Sequence, residues 1–379
     1  MKNFFVCAHE ITFFSNNWNM NNQQQRSKIR IKDIALLSGV SEGTVDRVLH
    51  NRGDVSAKSL EAVNKALEEL DYSPNLFARS LASKKQYRFV CLIPNYKTGD
   101  YWEGIANSID SAAREFENYN VFIDKKQFDQ LDASSFAEAA ESVFSQLPDG
   151  VILSPVFRTE TVDFVAKLSD HNIPYSFFDS MIEDTAFLTY YGQNSFQSGY
   201  AAAKLLLENL PATSEVLVIR TQRKKGAFAN QTSNRYKGFL QYIENYGLKE
   251  KLKLIDVLLT DDDEESNVGL LREIFARRHA IKAAITFNSK VYQLAMYLET
   301  LQQTGVRLLG YDLLEKNVSY LKQGVISYLI AQRPEKQVYC SVRDMCRELI
   351  FNQSVTKINY VPIDILMKEN IDYYIDFKE

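Results

Sequence analysis

The chain is poor in cysteine: four residues in 379, Cys7, Cys91, Cys340 and Cys346, with no CxxC pair and no histidine at a zinc-ligand spacing. That excludes a zinc module and makes free buried thiols in a reducing, cytoplasmic compartment the expectation. No apolar run approaches the length of a membrane span. No glycine-rich phosphate loop opens a helix. The four histidines, His9, His50, His171 and His279, cluster with no nucleophile or metal set. No catalytic constellation, cofactor or metal is therefore expected. The acidic run Asp261 to Glu265 lacks the glycine and spacing of a calcium loop, and reads as a solvated loop leading into a helix. A convincing export signal is missing too. The opening MKNFFVCAHEITFF has a short apolar core that His9 and Glu10 interrupt. The polar, Asn- and Gln-rich stretch after it predicts disorder over residues 1–27, with Met20 as an alternative start of translation.

What is present is enough chain for two or three domains and a hydrophobic share of 45% to fill their cores. The net charge of −4 hides an asymmetry. Residues 26–88 carry 12 Lys+Arg against 8 Asp+Glu, whereas residues 89–379 carry 31 against 39. A basic head on an acidic body fits a head that meets phosphates and a body that does not.

The head has its own pattern. Lys32 to Leu37 sets Ile34, Ala35 and Leu37 on one helical face. Ser38, Gly39 and Val40 then turn the chain. Gly39 suits a positive φ, and Val40 points back into a small core. Ser41 is placed to cap the next helix, Glu42 to about Leu49, which buries Val45, Val48 and Leu49. Its other face shows Glu42, Gly43, Asp46 and Arg47. A third helix starts at Ser56, and Leu60, Val63, Leu67 and Leu70 recur at helical spacing to close the core. This is the shape of a helix-turn-helix DNA reader. Pro74 ends it and isolates a short hinge segment.

The pieces IKDIALLSGVS, TVDRVLHNR, VSAKSLEAVNKALEELDYSPN and LFARSLASKK resemble, in nearly continuous register, the head of the lactose-repressor (LacI/GalR) family of bacterial transcription regulators. The resemblance implies that Ser41 and Thr44 meet phosphates and that Glu42, Gly43 and Arg47 face base edges in the major groove. Arg47 suits guanine O6 and N7. His50 and Asn51 complete the implied contact set. The family has Ser where Asp46 stands and Asn where His50 stands, and Gly43 brings no side chain. The resemblance also implies that Leu81, with Ala78 on the same face, wedges into the minor groove from a hinge that becomes helical on DNA.

From Arg88 onward apolar strands alternate with amphipathic helices. The predicted strands are 89–93, 121–123, 151–153 and 175–178, then 216–219, 254–257, 284–287 and 306–309. Helical patterns include Tyr101 to Tyr119 and Ser195 to Asn209. Two such sets imply two doubly wound parallel-sheet lobes with a cleft between them. The body resembles the periplasmic sugar-binding-protein fold that follows the head in this family. NRYKGF holds Arg235, TFNS holds Asn288, LGYD holds Asp312, and LIAQRP holds Gln332 at a lobe crossing. Asp179 and Asp312 can each accept from two hydroxyls, Arg235 donates in a fork, and Asn288 and Gln332 do both. Tyr96, Tyr101 and Trp102 follow the first body strand and offer aromatic faces to a sugar ring. Asn194, past a probable crossing, is a further contact candidate.

The expectation is therefore a small all-α head (28–74), a hinge helix and linker (75–87) and a two-lobed α/β effector and dimerisation body (88–379) after the N-terminal extension. Its function is operator binding under control of a sugar-like effector, as a homodimer, because one head covers half of a two-fold site. Repression relieved by ligand is the family's usual outcome; ligand-dependent binding and activation are the others. MKENIDYYIDFKE shows no leucine heptad, so no coiled-coil tetramer is expected. The rival classes are a transport binding protein, which would need an export signal and no head, and a sugar-acting enzyme. A third rival keeps the DNA role and changes the effector to a nucleoside or another non-sugar.

Overall fold

The computed structural model describes residues 30–49, 53, 55–70, 85–222, 230–260 and 263–376. The expectations for residues 1–27, His50, Asn51 and Leu81 lie outside these. Two compact units separate, Met1–Ala78 and Arg79–Glu379.

Among the described residues of the first unit three helices form, Ile31–Ser38, Glu42–Leu49 and Ala57–Glu69. Gly39 closes the first in the left-handed region at φ 68°, where a side chain would be strained. Ser41 Oγ accepts from the Thr44 N–H at 3.1 Å and Ser56 Oγ from the Ser59 N–H at 3.2 Å, so both serines cap as the sequence predicts. Ile34, Ala35, Val45, Val63 and Ala66 make the core, with Val40, Val48, Leu49, Leu67 and Leu70 packed against it. Two expected core residues are corrected. Leu37 and Leu60 are each 44% exposed. The stripe of the first helix runs through Ile31, Ile34 and Ala35, and Leu37 sits on its flank. Leu60 lies in the first turn of a helix about 20 Å long that faces partners about 12 Å long, too short to cover it.

The second unit holds two six-stranded sheets. Lobe 1 uses β1 (Tyr87–Pro94), β2 (Val121–Phe128), β3 (Gly150–Leu153), β4 (Tyr175–Phe178) and β5 (Tyr190–Gly192). Lobe 2 uses β6 (Glu215–Gln222), β7 (Lys253–Thr260), β8 (Ile281–Thr286), β9 (Arg307–Tyr311) and β10 (Tyr328–Ala331). The strand orders are the same in both, β2-β1-β3-β4-β5 and β7-β6-β8-β9-β10. This is a doubly wound arrangement whose ligands meet the carboxyl ends of the strands. β11 (Ile358–Tyr360) then joins lobe 1 beside β5, and β12 (Asp364–Leu366) joins lobe 2 beside β10. β12 is antiparallel and adds one edge strand to the expected parallel sheet of lobe 2. Cys91, Cys340 and Cys346 are free and buried. Among the described residues no helix is long and apolar enough to cross a membrane.

The chain passes between lobes three times. It goes from β5 into the helix Ser195–Leu207 of lobe 2, from β10 into the helix Pro334–Leu349 on lobe 1, and from β11 to β12. One buried side chain joins the three passages: Gln193 Nε2 donates to the carbonyls of Ala331 at 3.1 Å and Pro362 at 2.9 Å.

Lobe 2 is built around two helices in backbone contact, Ser195–Leu207 and Asn230–Asn245. A Cβ on Gly199 would overlap the carbonyl oxygen of Arg235, and a Cβ on Gly238 that of Phe196. The approach fixes how far the helix Asn230–Asn245 reaches into the cleft. Gly238→Ala forces these helices apart, since backbone oxygen cannot swing aside, and is expected to cost about 1–3 kcal/mol. Its urea midpoint should fall; an unchanged midpoint would contradict the close packing.

Candidate functional site

On the head, Glu42, Gly43 and Arg47 are exposed, Gly43 and Arg47 on the side of their helix away from Val45, while Thr44 is half-buried with its hydroxyl 2.9 Å from Ser41 Oγ. The residues expected to face DNA are thus on the open face of the second helix of the turn.

In the body, the carboxyl ends of β4 and β9 carry matching aspartates. Asp179 follows β4 at φ 68° and Asp312 follows β9 at φ 70°. Asp tolerates this left-handed region better than most residues, at a cost that persists only where the surroundings hold it. Those surroundings are alike in the two lobes. The Asp179 N–H donates to the Tyr191 carbonyl at 3.0 Å, and the Asp312 N–H to the Ile330 carbonyl at 2.9 Å. Gln337 Oε1 is also 3.0 Å from the Asp179 nitrogen, and its Nε2 donates to the Gln332 carbonyl at 2.6 Å. In lobe 2 the buried Asn317 Nδ2 donates to the carbonyls of Tyr311 and Asp312, at 3.1 and 3.0 Å.

Five of the predicted effector residues, Tyr101, Asp179, Arg235, Asp312 and Gln332, meet in one network. Tyr101 donates its hydroxyl proton to Asp179 Oδ1 at 2.7 Å, and Ser154 Oγ lies 3.3 Å from Oδ2. Gln332 Nε2 donates to Asp312 Oδ1 at 2.8 Å, and Gln332 Oε1 accepts from Arg235 Nη2 at 3.1 Å. Arg235, 1% exposed, also donates through Nη1 to the Phe287 carbonyl at 2.8 Å, and its guanidinium carbon sits 3.8 Å from the Tyr311 ring centroid. Its Nε is buried with no hydrogen-bond partner among the described residues. Burial pushes the Asp312 carboxyl up to about 7, against the pull of Arg235 and the Gln332 hydrogen bond. Burial likewise raises Asp179, with Tyr101 and Arg235 opposing it.

A cavity of about 360 Å³ lies between the lobes. Tyr101 and Trp102 line it from lobe 1, and Thr221, Tyr236, Phe287 and Asn288 from lobe 2. Trp102 packs edge-on to Tyr101, with centroids 5.1 Å apart, and its indole N–H donates to Gln130 at 3.2 Å. Asn288 holds Thr221 Oγ1 at 2.8 Å and, through its Oδ1, the Lys290 N–H at 3.0 Å. Asp179, Arg235, Asp312 and Gln332 are not among the cavity's lining residues; Tyr101 and Phe287 connect them to it. Asn194 differs from expectation. Its Oδ1 accepts from the Gln197 N–H at 2.9 Å as a helix cap, and it does not line the cavity; neither does Tyr96.

Sequence reasoning missed Gln231. Its Nε2 lies 2.9 Å from Asp179 Oδ1 and 3.0 Å from Gln332 Oε1. Glutamine carries no motif, but Gln231 stands four residues before Arg235 in one helix, and so on the same face. That spacing was the available signal. Asp263 in the acidic run caps the helix Glu264–Arg277 by accepting from the Ser266 N–H at 3.2 Å.

Residues 30–75 match the family model for bacterial regulatory proteins of the lacI family, and residues 90–353 match the periplasmic binding protein domain. The HTH-type transcriptional regulator MalR of Streptococcus pneumoniae is 24% identical over 293 residues, 75% of this chain and 83% of that protein. The sucrose operon repressor of Staphylococcus xylosus is 25% identical over 210 residues, 52% of this chain and 61% of that protein. The solved structure of a candidate LacI transcriptional regulator from Bacteroides fragilis is 37% identical with a TM-score of 0.72, covering 76% of this chain and all of that one.

Proposed function

The chain belongs to the lacI family of bacterial regulatory proteins, and from that premise we propose that it is an operator-binding transcriptional repressor whose DNA affinity is set by a sugar-like effector held between the lobes. The observation that carries this is that Asp312 and Arg235 of lobe 2 meet on Gln332, which Gln231 links to Asp179 of lobe 1, beside an aromatic-walled cavity. Two carboxylates, a guanidinium and carboxamides are the donors and acceptors that hydroxyl groups need, and Tyr101, Trp102 and Tyr236 offer ring faces to the apolar side of a sugar. A named relative that represses a sucrose operon fits the same class of effector.

Effector binding acts through lobe closure. A ligand that touches both lobes favours the closed arrangement by its differential affinity, and operator affinity follows by linkage. The working unit is a homodimer acting in the cytoplasm on a two-fold operator, since one helix-turn-helix reads one half-site. Ser41 and Thr44 serve phosphates. Arg47 reads base edges, with Glu42 and Gly43 beside it.

Selection from a randomised duplex library by the purified full chain tests the DNA role. A two-fold symmetric motif is expected; enrichment of no motif would overturn it. A thermal-shift screen of monosaccharides, disaccharides, uronic acids, polyols and nucleosides then tests the cleft, with the hit expected to change operator affinity. A nucleoside as the sole hit would replace the sugar. Arg47→Ala should reduce affinity for the selected operator by about 1–3 kcal/mol and leave random-duplex binding far less affected. An equal loss on both would remove the base-reading role.

A further inference from the structure

The helix Asn230–Asn245 belongs to lobe 2, yet its first two side chains bond to lobe 1. Asn230 Nδ2 donates to the Met181 carbonyl at 3.0 Å. Gln231 Nε2 lies 2.9 Å from Asp179 Oδ1, 3.2 Å from the Asp179 carbonyl and 3.0 Å from Gln332 Oε1. One carboxamide therefore meets a carboxylate of lobe 1 and the crossing residue that also holds Arg235 and Asp312. The bonds to Met181 and Asp179 are made away from the three peptide crossings and Gln193, whereas the one to Gln332 is made at the second crossing.

We propose that Gln231 is an interlobe latch that occupies the acceptors a hydroxylated effector would use, so that the lobes are held together by a side chain which the effector must displace. This rests on the reading of the cleft as the effector site. The chemistry is matched: a primary amide presents two N–H donors, as two hydroxyl groups would, to Asp179 Oδ1 and Gln332 Oε1. The mechanics are matched as well. Gln231 sits in the first turn of a helix whose body is fixed by the Gly199 and Gly238 contacts, so its side chain can swing out while Arg235, one turn on, stays in place. A latch of this kind lowers the apparent affinity for effector and makes closure an intrinsic equilibrium that the effector biases.

The experiment measures lobe separation in the full chain without added ligand. Spin labels are placed at Thr159→Cys on lobe 1 and Glu265→Cys on lobe 2, both exposed positions in the first turns of their helices, with Cys7→Ser to leave only buried native thiols. Gln231→Ala and Gln231→Leu should both shift the distance distribution to larger values, while unaltered far-UV circular dichroism verifies the fold. The leucine variant keeps bulk and removes the amide, which separates lost hydrogen bonds from lost packing. Gln231→Glu at pH 8 should shift it furthest, because its carboxylate would sit beside Asp179 in place of the amide donor, with Asp312 and Arg235 reached only through Gln332. Distributions identical to the parent chain in all three variants would overturn the latch. A shift with no effector response in the ligand screen keeps the latch and removes the effector reading; an effector response with no shift does the reverse.

Discussion

Arg235→Ala is expected to lower stability by about 3–5 kcal/mol and to abolish the effector response, leaving operator binding intact at temperatures where the variant is folded. The guanidinium is buried and is the cation of a network with two aspartates, so its loss leaves buried acids without their counter-charge. It also removes the donor to Gln332 Oε1 and the donor to the Phe287 carbonyl. Arg235→Lys keeps a point charge but not the fork, and should restore part of the stability and little of the response. Urea unfolding reads the first effect and effector-dependent change in operator affinity reads the second. An alanine variant that still responds at parental effector concentrations would place the effector elsewhere.

Asp312→Asn should change how stability depends on pH. With the folded carboxyl near 7 and an unfolded value of about 3.9, the folded state holds the proton more tightly. Below the lower value both states are protonated and there is no penalty. As pH rises between them the unfolded state releases its proton first, so stability falls; above about 7 the loss is complete. The difference of about 3 units amounts to a penalty on the order of 4 kcal/mol in alkaline buffer. The asparagine variant should therefore gain on the parent chain between about pH 4 and pH 7, and the gain should level off above. Unfolding midpoints measured across that range check it; parallel curves would show that Asp312 does not titrate there.

The parts of this molecule that were legible in the sequence are those whose signal is local. Ser41 and Ser56 announce their caps by residue type, and Gly39 its turn. β4 was read to its residue limits because Tyr175 to Phe178 is buried throughout and bounded by turns. β2 was read short because it is an edge strand, with the polar Asp124 to Gln127 carrying its second half. β5, β11 and β12 were not read at all: three residues hold less than two periods of alternation. In the cleft, Asp179, Arg235, Asp312 and Gln332 could be named through motifs and strand ends. Gln231, Gln193 and Gln337 could not. An amide's role is set by what comes within about 3 Å of it, and Asp179, the partner of Gln231 and Gln337, and Pro362, the partner of Gln193, are 52 to 169 positions away from them.

The threefold passage of the chain has a bearing on how the body can be assembled and divided. Lobe 1 contains the helix Pro334–Leu349 and β11, which are synthesised only after the five strands β6 to β10 of its neighbour. Neither half is thus a contiguous stretch of polypeptide. A ribosome releasing residues up to β5 releases a sheet whose edge and one covering layer are still to come. Acquisition of the finished first half waits on the second, and a gene fragment ending before Pro334 encodes no complete half of either kind.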